Sequence, residues 1–133
     1  MTTVLLYNKL DEPKAAYMVK TGNVKCKITD EDEFVIPCHQ VIIGGGEILV
    51  GEEQHFAESR HLTIHYLSEK ENNSKNIIKL NPKQIINGVD TYKVAFHTAK
   101  FIAMCLQKIN EIRTGKNNSL NHRDELLKRY SII

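Results

Sequence analysis

The residues best suited to chemistry in this chain lie between Ile42 and Thr63, where three consecutive glycines precede a Gly-Glu pair and an isolated arginine. Glycine has no Cβ, so backbone N–H groups around Gly51 can approach an anion closely. The guanidinium of Arg60 can offer a two-pronged hydrogen bond to phosphate oxygens, and Glu52 can accept one from a sugar hydroxyl. These residue types predict a pocket for a nucleotide phosphate. Three glycines between two apolar runs are also typical of a hairpin tip that binds nothing.

Short β-rich runs separated by turn residues occupy the first eighty positions and must position this stretch. The eight runs are Thr3–Tyr7, Ala16–Val19, Val24–Ile28, Glu33–Ile36, Gln40–Ile43, Glu47–Val50, Leu62–Leu67 and Asn76–Leu80. They predict a mainly β fold with C-terminal α structure: an eight-stranded antiparallel, jelly-roll-like β-roll over residues 1–89, with Gly44–Gly46 at a hairpin tip. Because proline cannot donate a ladder hydrogen bond, Pro37 should lie at an edge or a bulge.

A helical period begins after Asp90 and predicts a long amphipathic helix within residues 90–115, with Tyr92–Arg113 helical, Asp90 or Thr91 as N-cap and Gly115 as the stop. The helix carries two apolar seams. The first is Ala95, Ala99, Ile102, Leu106 and Ile109, and the second is Val94, Phe101, Cys105 and Ile112. One seam should cover the roll. The other has the 3.5-residue spacing of a coiled coil and predicts a homodimer through residues 92–113, although a single broad core-facing stripe is the alternative.

The last segment, residues 116–133, predicts a short C-terminal helix that begins after Ser119. It is too short for a helix-turn-helix DNA reader, so nucleic acid is not expected as a partner of this chain alone.

Composition is that of one globular domain, since the 133 residues are 41% hydrophobic and 26% charged. No apolar run approaches the roughly 20 residues of a membrane-spanning helix, and no signal peptide is evident, so we expect a cytoplasmic protein without a membrane partner. The three cysteines show no metal-binding or disulfide spacing, which favours reduced thiols. Residues 1–78 carry 8 basic and 12 acidic side chains, and residues 79–133 carry 10 and 4, which indicates a basic helical half.

Several segments resemble the cyclic nucleotide-binding domain family, among them Val4–Pro13, which resembles its first strand and turn. Ala16–Cys26, AYMVKTGNVKC, resembles the strand-turn-strand that opens the domain, and Ile77–Ile86 resembles its last strand and short helix. Gly44–Glu52 and Arg60–Thr63 resemble the two parts of its phosphate-binding cassette. The resemblance implies a regulatory sensor that binds cAMP, cGMP or a related nucleotide, needs no other cofactor or metal, and passes occupancy to the C-terminal helix.

By that resemblance, Arg60 would hold the cyclic phosphate and Glu52 the ribose 2′-hydroxyl, with the N–H groups of Glu52 and Glu53 at the start of a short helix. The full set of implied ligand-binding residues is Gly46, Ile48, Gly51, Glu52, Arg60, His61 and Thr63. The sequence departs from the family pattern at His61 and Leu62, where small residues are usual, and the segment from Glu52 to Arg60 is short. A degenerate, ligand-free roll that serves as a dimerisation or interaction module is the alternative, as is part of a catabolite-activator-like transcription regulator without its DNA-binding domain.

No enzymatic activity is expected. Cys38 and His39 could form a nucleophile-base pair, but adjacent strand residues point to opposite faces. His61 and His65 would lie about 13 Å apart on one strand, too far to share a metal ion. Tyr66, Tyr92 and Phe96 are expected to be core or lid aromatics.

Overall fold

The structure, a computed structural model, describes residues 2–54, 59–68 and 74–116. Its strands are β1 (Thr2–Tyr7), β2 (Ala16–Lys27), β3 (Glu33–Ile43), β4 (Thr63–Ser68) and β5 (Ile77–Leu80). Its α-helices are α1 (Gly45–Gln54), α2 (Pro82–Gly88) and α3 (Tyr92–Lys116), and a 3-10 turn spans Ser74–Asn76. The coarse expectation of a mainly antiparallel β fold followed by a C-terminal helix is therefore confirmed.

The described strands form one antiparallel sheet in the order β1-β4-β2-β3, and β5 also pairs with β2. Strand β2 is 12 residues long and holds the sheet together. Its first residues pair with β5, its last residues pair with β4, and β3 pairs along nearly its whole length. Pro37 lies on β3 at the end of the strand order, opposite Asn23, so its predicted edge position is confirmed.

The prediction of eight strands is wrong, because the sheet formed by the described residues has five strands, and the predicted β-roll is not confirmed. Two predicted pairs are continuous strands: Ala16–Val19 and Val24–Ile28 fall in β2, and Glu33–Ile36 and Gln40–Ile43 fall in β3. The turn predicted around Gly22 does not form, since Gly22 stays in the ladder opposite Cys38 with a φ of 130°. Glycine adopts that angle without a Cβ clash, and a Cβ would lie 2.5 Å from the hydroxyl oxygen of Tyr66.

The third lost strand is Glu47–Val50, which lies inside α1. The predicted hairpin tip at Gly44–Gly46 is also wrong: Gly44 ends the β3 segment with a φ of 85°, and the next two glycines begin the helix. Tertiary packing explains the difference, because Ile48 is buried in a small core with Ala16, Ile42 and Ile85 that forms only if one helical face turns inward.

The main core lies between the sheet and α3. Val19, Val24, Ile36, Val41 and Ile64 are fully buried in it. Helix α3 contributes Phe101 and Cys105 to that core, with Met104, Ile109 and Ile112 packed beside them. Thr91 caps the helix, its Oγ1 accepting a hydrogen bond from Val94 N at 3.4 Å.

The two predicted seams of α3 face different directions up to Leu106, whereas Ile109 of the first seam packs against the main core. Phe101 and Cys105 of the second seam are buried, whereas Ala95, Ala99, Ile102 and Leu106 of the first are exposed. Tyr92 and Phe96 are exposed as well and stack with ring centroids 5.4 Å apart, so of the three predicted core or lid aromatics only Tyr66 is buried. The predicted helix within 116–133 lies outside the described residues. No described helix is long and apolar enough to cross a membrane.

Candidate functional site

Arg60 is the side chain around which the site is built. It is 2% exposed, and its backbone is fixed to the turn after β1 by hydrogen bonds from Leu10 N to Arg60 O and from Arg60 N to Asp11 O, both 2.9 Å. Leu10 adopts a positive φ of 76° in that turn. The residue is therefore held by backbone contacts on both sides before its side chain enters the protein.

The guanidinium of Arg60 is engaged by acceptors of the protein itself. Its Nη1 donates to Gly44 O at 2.6 Å and to Glu47 Oε2 at 3.2 Å, and its Nη2 donates to Ala15 O. The group also lies over the ring of Tyr7, 4.0 Å from the centroid. Its Nε is buried and has no hydrogen-bond partner among the described residues. Arg60 therefore joins the ends of β1 and β3, the start of β2 and helix α1.

Gly44 makes this arrangement sterically possible. A Cβ at Gly44 would lie 2.5 Å from Arg60 Nη1 and 3.0 Å from a ring carbon of Tyr7. Its φ of 85° is also disfavoured for residues with a side chain. Gly44 therefore accommodates Arg60 in two ways: its carbonyl accepts a hydrogen bond, and its lack of a side chain leaves room for the guanidinium.

Glu47 is the carboxylate that the structure brings to Arg60, and it is not among the ligand-binding residues predicted from the sequence, where Glu52 was expected to bind the ribose. Glu47 lies in the first turn of α1, where a negative charge is favoured by the helix dipole. Its side chain is 16% exposed and that of Arg60 is 1% exposed, so their ion pair is shielded from water. A Gly-Glu pair also occurs at residues 46–47. If the glycines had been interpreted as the start of a helix, Glu47 would have been recognised as an acidic residue in its first turn.

The remaining predicted ligand-binding residues are spread over α1 and the start of β4. Gly51 and Glu52 lie in the last turns of α1, and Glu52 is exposed. The expectation that Glu52 and Glu53 start a helix is therefore wrong, since α1 begins at Gly45 and both lie at its negative, C-terminal end. Ile48 is buried in the small core.

His61 and Thr63 follow Arg60 in the chain. The Oγ1 of Thr63 accepts a hydrogen bond from Lys9 N at 2.8 Å, which ties β4 to the turn after β1. His61 is exposed. The structure thus brings Arg60, Gly44 and Glu47 together, places Gly46 one residue from that group, and leaves Glu52 on the outer part of α1.

Burial of Tyr7 has an electrostatic consequence for the site. Its pKa is raised well above the ordinary value of 10.0, first by loss of solvent and then by the nearby carboxylate of Glu47, and the cation of Arg60 only partly opposes this. The phenol is therefore neutral at neutral pH. Arg60 and Glu47 consequently interact as a single buried cation and a single carboxylate beside a neutral aromatic ring.

Helix α1 connects this group to α3 through two further glycines. A Cβ at Gly45 would lie 3.2 Å from the side chain of Thr98, and a Cβ at Gly46 would lie 2.9 Å from Ile102 Cδ1. Thr98 is 4% exposed, and its Oγ1 has no hydrogen-bond partner among the described residues. The start of α1 is thus in contact with Arg60 on one side and with α3 on the other.

The other candidate groups remain separate from this site. Cys38 is buried and His39 is exposed, as expected for adjacent strand residues, so the two do not form a nucleophile-base pair. Burial lowers the pKa of His65 and that of His97, and neighbouring lysines lower both further. Within the described residues, no group of three or more histidine, cysteine or acidic side chains could hold a metal ion.

Comparison with known proteins assigns the chain to no family. No protein-family model matches it, and no curated protein matches it. It is similar to the solved structure described as "Structure of EAL Enzyme Bd1971 - cGMP bound form", with a TM-score of 0.46 and 14% sequence identity. The match covers 96% of this chain and 32% of that chain, so this chain spans well under half the length of that protein.

Proposed function

We propose that this chain is a regulatory sensor module that binds a cyclic nucleotide, cAMP, cGMP or a related ligand, at Arg60. The observation that carries the proposal is the position of Arg60 and Glu47 at the start of α1, in direct contact with the region that touches α3. A guanidinium and the positive end of a helix both favour a phosphate. The cyclic nucleotide-binding resemblance of the sequence points to the same ligand class.

The ligand phosphate has to compete with Glu47 for Arg60 Nη1. Nη1 and Nη2 each donate to a backbone carbonyl, so the donors that a phosphate could use are the N–H now directed at Glu47, the second N–H of Nη2 and the buried Nε. Binding therefore displaces Glu47 and shifts the first turn of α1. That turn contacts Thr98 and Ile102, so the shift changes how α3 packs.

Calorimetric titration with cAMP, cGMP and cyclic dinucleotides tests this proposal. Glu47→Gln removes the competing charge, and we expect binding to tighten by about 5- to 30-fold, corresponding to ~1–2 kcal/mol. Glu53→Gln is the matched control, since Glu53 is an exposed carboxylate on the same helix, and it should leave affinity unchanged. Glu52→Ala tests the ribose role predicted from the sequence: a loss of ~1–2 kcal/mol of binding free energy would support that role, and unchanged affinity would restrict the site to Arg60 and the start of α1. No heat and no rise in melting temperature for wild type and Glu47→Gln at millimolar ligand would reject the sensor function.

A second function, interaction between copies of this chain through α3, is favoured by a different observation. Apart from Lys93, every exposed residue of α3 from Tyr92 to Leu106 is uncharged, and the face they form consists of Tyr92, Ala95, Phe96, Ala99, Ile102, Ala103 and Leu106. Two copies of such a face can pack without bringing like charges together, and the alanines permit close approach of the helices. We therefore propose a homodimer through residues 92–113, as the heptad spacing predicts.

Sedimentation of Leu106→Glu tests the homodimer. Leu106 is 60% exposed, so a glutamate there should not disturb the monomer, but it would place two carboxylates in the interface and yield a monomer. Gln107→Glu is the matched control, because Gln107 is the exposed neighbour outside the apolar face and should leave the dimer intact. A wild type that stays monomeric at high micromolar concentration contradicts this proposal without affecting the sensor proposal.

A further inference from the structure

The exposed apolar face of α3 is symmetric in sequence about Ala99. Its residues lie three, four and seven positions from Ala99 in both directions along the chain. The resulting pairs are Phe96 with Ile102, Ala95 with Ala103, and Tyr92 with Leu106. Spacings of three, four and seven residues return to the same face of a helix. If the direction of the helix is reversed about Ala99, each residue of the face therefore falls on the position of its counterpart.

The symmetry also holds for side-chain size, since bulky residues pair with bulky ones and alanine with alanine. The four bulky side chains are between 41% and 77% exposed. In an antiparallel pair of helices centred on Ala99, each end of the contact holds the same combination of aromatic and aliphatic side chains. In a parallel pair, tyrosines and phenylalanines would meet at one end, and isoleucines and leucines at the other. Because the distance between helix axes depends on the side chains in contact, parallel axes would lie further apart at the aromatic end.

Charge on the same side of α3 favours the antiparallel arrangement as well. Arg113 is exposed and follows Ala99 by fourteen residues, which is two heptads, so it continues the stripe of the apolar face. Parallel helices would place the two Arg113 side chains opposite each other, and like charges repel. In antiparallel helices centred on Ala99, Arg113 lies beyond the position at which α3 of the other copy begins, at Tyr92. The two guanidinium groups are then at opposite ends of the dimer.

We propose that two copies of this chain pack antiparallel through α3, with the two-fold axis at Ala99. The inference rests on the homodimer proposed above and adds the orientation of the partner. The contact extends from Tyr92 to Leu106 of each copy, about 21 Å along the helix axis. Alanines at the centre allow the two axes to approach to about 8 Å, at the lower end of the usual range. The C-terminal turns of the two α3 helices consequently point away from each other.

Ile102 belongs both to this dimer contact and to the packing of α1. A Cβ at Gly46 would lie 2.9 Å from Ile102 Cδ1, so the side chain of Ile102 lies against the start of α1. In the antiparallel pair, the same side chain faces Phe96 of the partner subunit. The start of α1 is therefore separated from the second copy by one side chain, and the two-fold axis places this arrangement in both subunits.

Disulfide cross-linking of introduced cysteines tests the orientation. Ala95→Cys and Ala103→Cys are each produced alone and are also co-produced on chains with tags of different length, and all samples are oxidised with diamide. We expect a cross-link only between the two different variants, because antiparallel packing brings position 95 of one copy next to position 103 of the other. Helix Cα atoms lie about 2.3 Å from the axis, so facing Cα atoms at an axis separation of about 8 Å come within ~6 Å, which a disulfide can bridge.

Ala99→Cys reports on the homodimer itself, because position 99 faces its counterpart in both orientations. Gln107→Cys is the matched control, since Gln107 is exposed but outside the apolar face and should not link. The oxidised wild type gives the background, because its own cysteines are buried. Cross-links within Ala95→Cys alone or Ala103→Cys alone overturn the antiparallel arrangement and leave the homodimer, and so does a dimer without a link between positions 95 and 103. If Ala99→Cys does not link and the wild type sediments as a monomer, the homodimer proposal fails together with this inference.

Discussion

Replacing Arg60 is the most informative perturbation of this protein, because one side chain joins four parts of the fold. The substitution Arg60→Met keeps a long apolar stem and removes the guanidinium. It leaves Gly44 O and Ala15 O without their donor and Glu47 without its cation. Breaking a buried ion pair by removing one partner costs about 3–5 kcal/mol. Since whole domains are stable by only about 5–15 kcal/mol, a large fraction of the stability should be lost.

Urea unfolding followed by circular dichroism measures this loss. With a denaturant slope of about 2 kcal/mol per molar, the expected change lowers the midpoint by roughly 1.5–2.5 M. Arg60→Lys keeps the charge but loses the planar fork that reaches two carbonyls and a carboxylate, so we expect an intermediate loss of about 2–3 kcal/mol. Glu47→Gln should cost less, about 1–2 kcal/mol, because its side chain is partly exposed.

The double variant Arg60→Met/Glu47→Gln separates the ion pair from the carbonyl contacts. If the pair is coupled, the double variant should lose about 1–3 kcal/mol less than the sum of the single losses. A single Arg60→Met variant within 1 kcal/mol of the wild type would refute the reasoning, since it would mean that the buried contacts of the guanidinium contribute nothing to stability.

Three further predictions concern other parts of the fold. Gly22→Ala should destabilise the protein by about 2–4 kcal/mol in urea unfolding, because Gly22 has a φ of 130° and a Cβ there would clash with Tyr66. The contrasting variant is Gly115→Ala, which should stabilise α3 by about 0.5–1 kcal/mol, because no atom lies within 4 Å of a Cβ at Gly115. Burial raises the pKa of Cys38 to about 12, while an unfolded thiol ionises near ~8.5, so the unfolding free energy should fall as pH rises between those values, and less steeply in Cys38→Ala. Asn81→Ala should cost about 1 kcal/mol in the same assay, since Asn81 and the side chain at the third helical position form a capping box at α2.

Local sequence signals located the elements whose boundaries depend on nearby residues. The change of hydrophobic period after Asp90 predicted α3, and Thr91 does cap it. The alternation of residues predicted strand structure in β1, β2, β3, β4 and β5. The two faces of α3 could also be read from its seams, because a helix that covers a sheet must present one apolar stripe to it.

The sequence failed where a residue's conformation depends on distant contacts. Thr21-Gly22-Asn23 has the residue types of a turn, but Tyr66 from β4 packs over Gly22. The hydroxyl of Tyr66 donates a hydrogen bond to Thr21 O at 3.0 Å, and the strand continues. Gly45 and Gly46 are read as a hairpin tip from local sequence, but they are the places where α1 lies against α3. These partners are 44, 53 and 56 residues away in sequence, from Gly22 to Tyr66, Gly45 to Thr98 and Gly46 to Ile102, and no local pattern encodes them.

The same contacts explain why the sequence did not indicate Glu47 as the ion-pair partner of Arg60. If Gly44–Gly46 form a turn, as the local sequence suggests, Glu47 lies in the strand that follows. The Gly-Glu pair that remains available for a loop is then Gly51-Glu52. Once α1 begins at Gly45, Glu47 enters its first turn and faces Arg60, while Glu52 moves to the exposed end. The identity of the carboxylate therefore follows from where the helix starts.

The three consecutive glycines allow close packing at the start of α1 on two sides, against Arg60 and against α3. Gly44 admits the guanidinium of Arg60, and Gly45 and Gly46 admit Thr98 and Ile102 of α3. The start of α1 therefore lies in direct contact with Arg60 and with α3, within a single helical turn. A Cβ at Gly44 would clash with Arg60 Nη1 at 2.5 Å, and Cβ atoms at Gly45 and Gly46 would lie only 3.2 and 2.9 Å from side chains of α3, so the start of α1 packs closely against both. We expect a change at Arg60 to reach α3 through these contacts, as the proposed sensor requires.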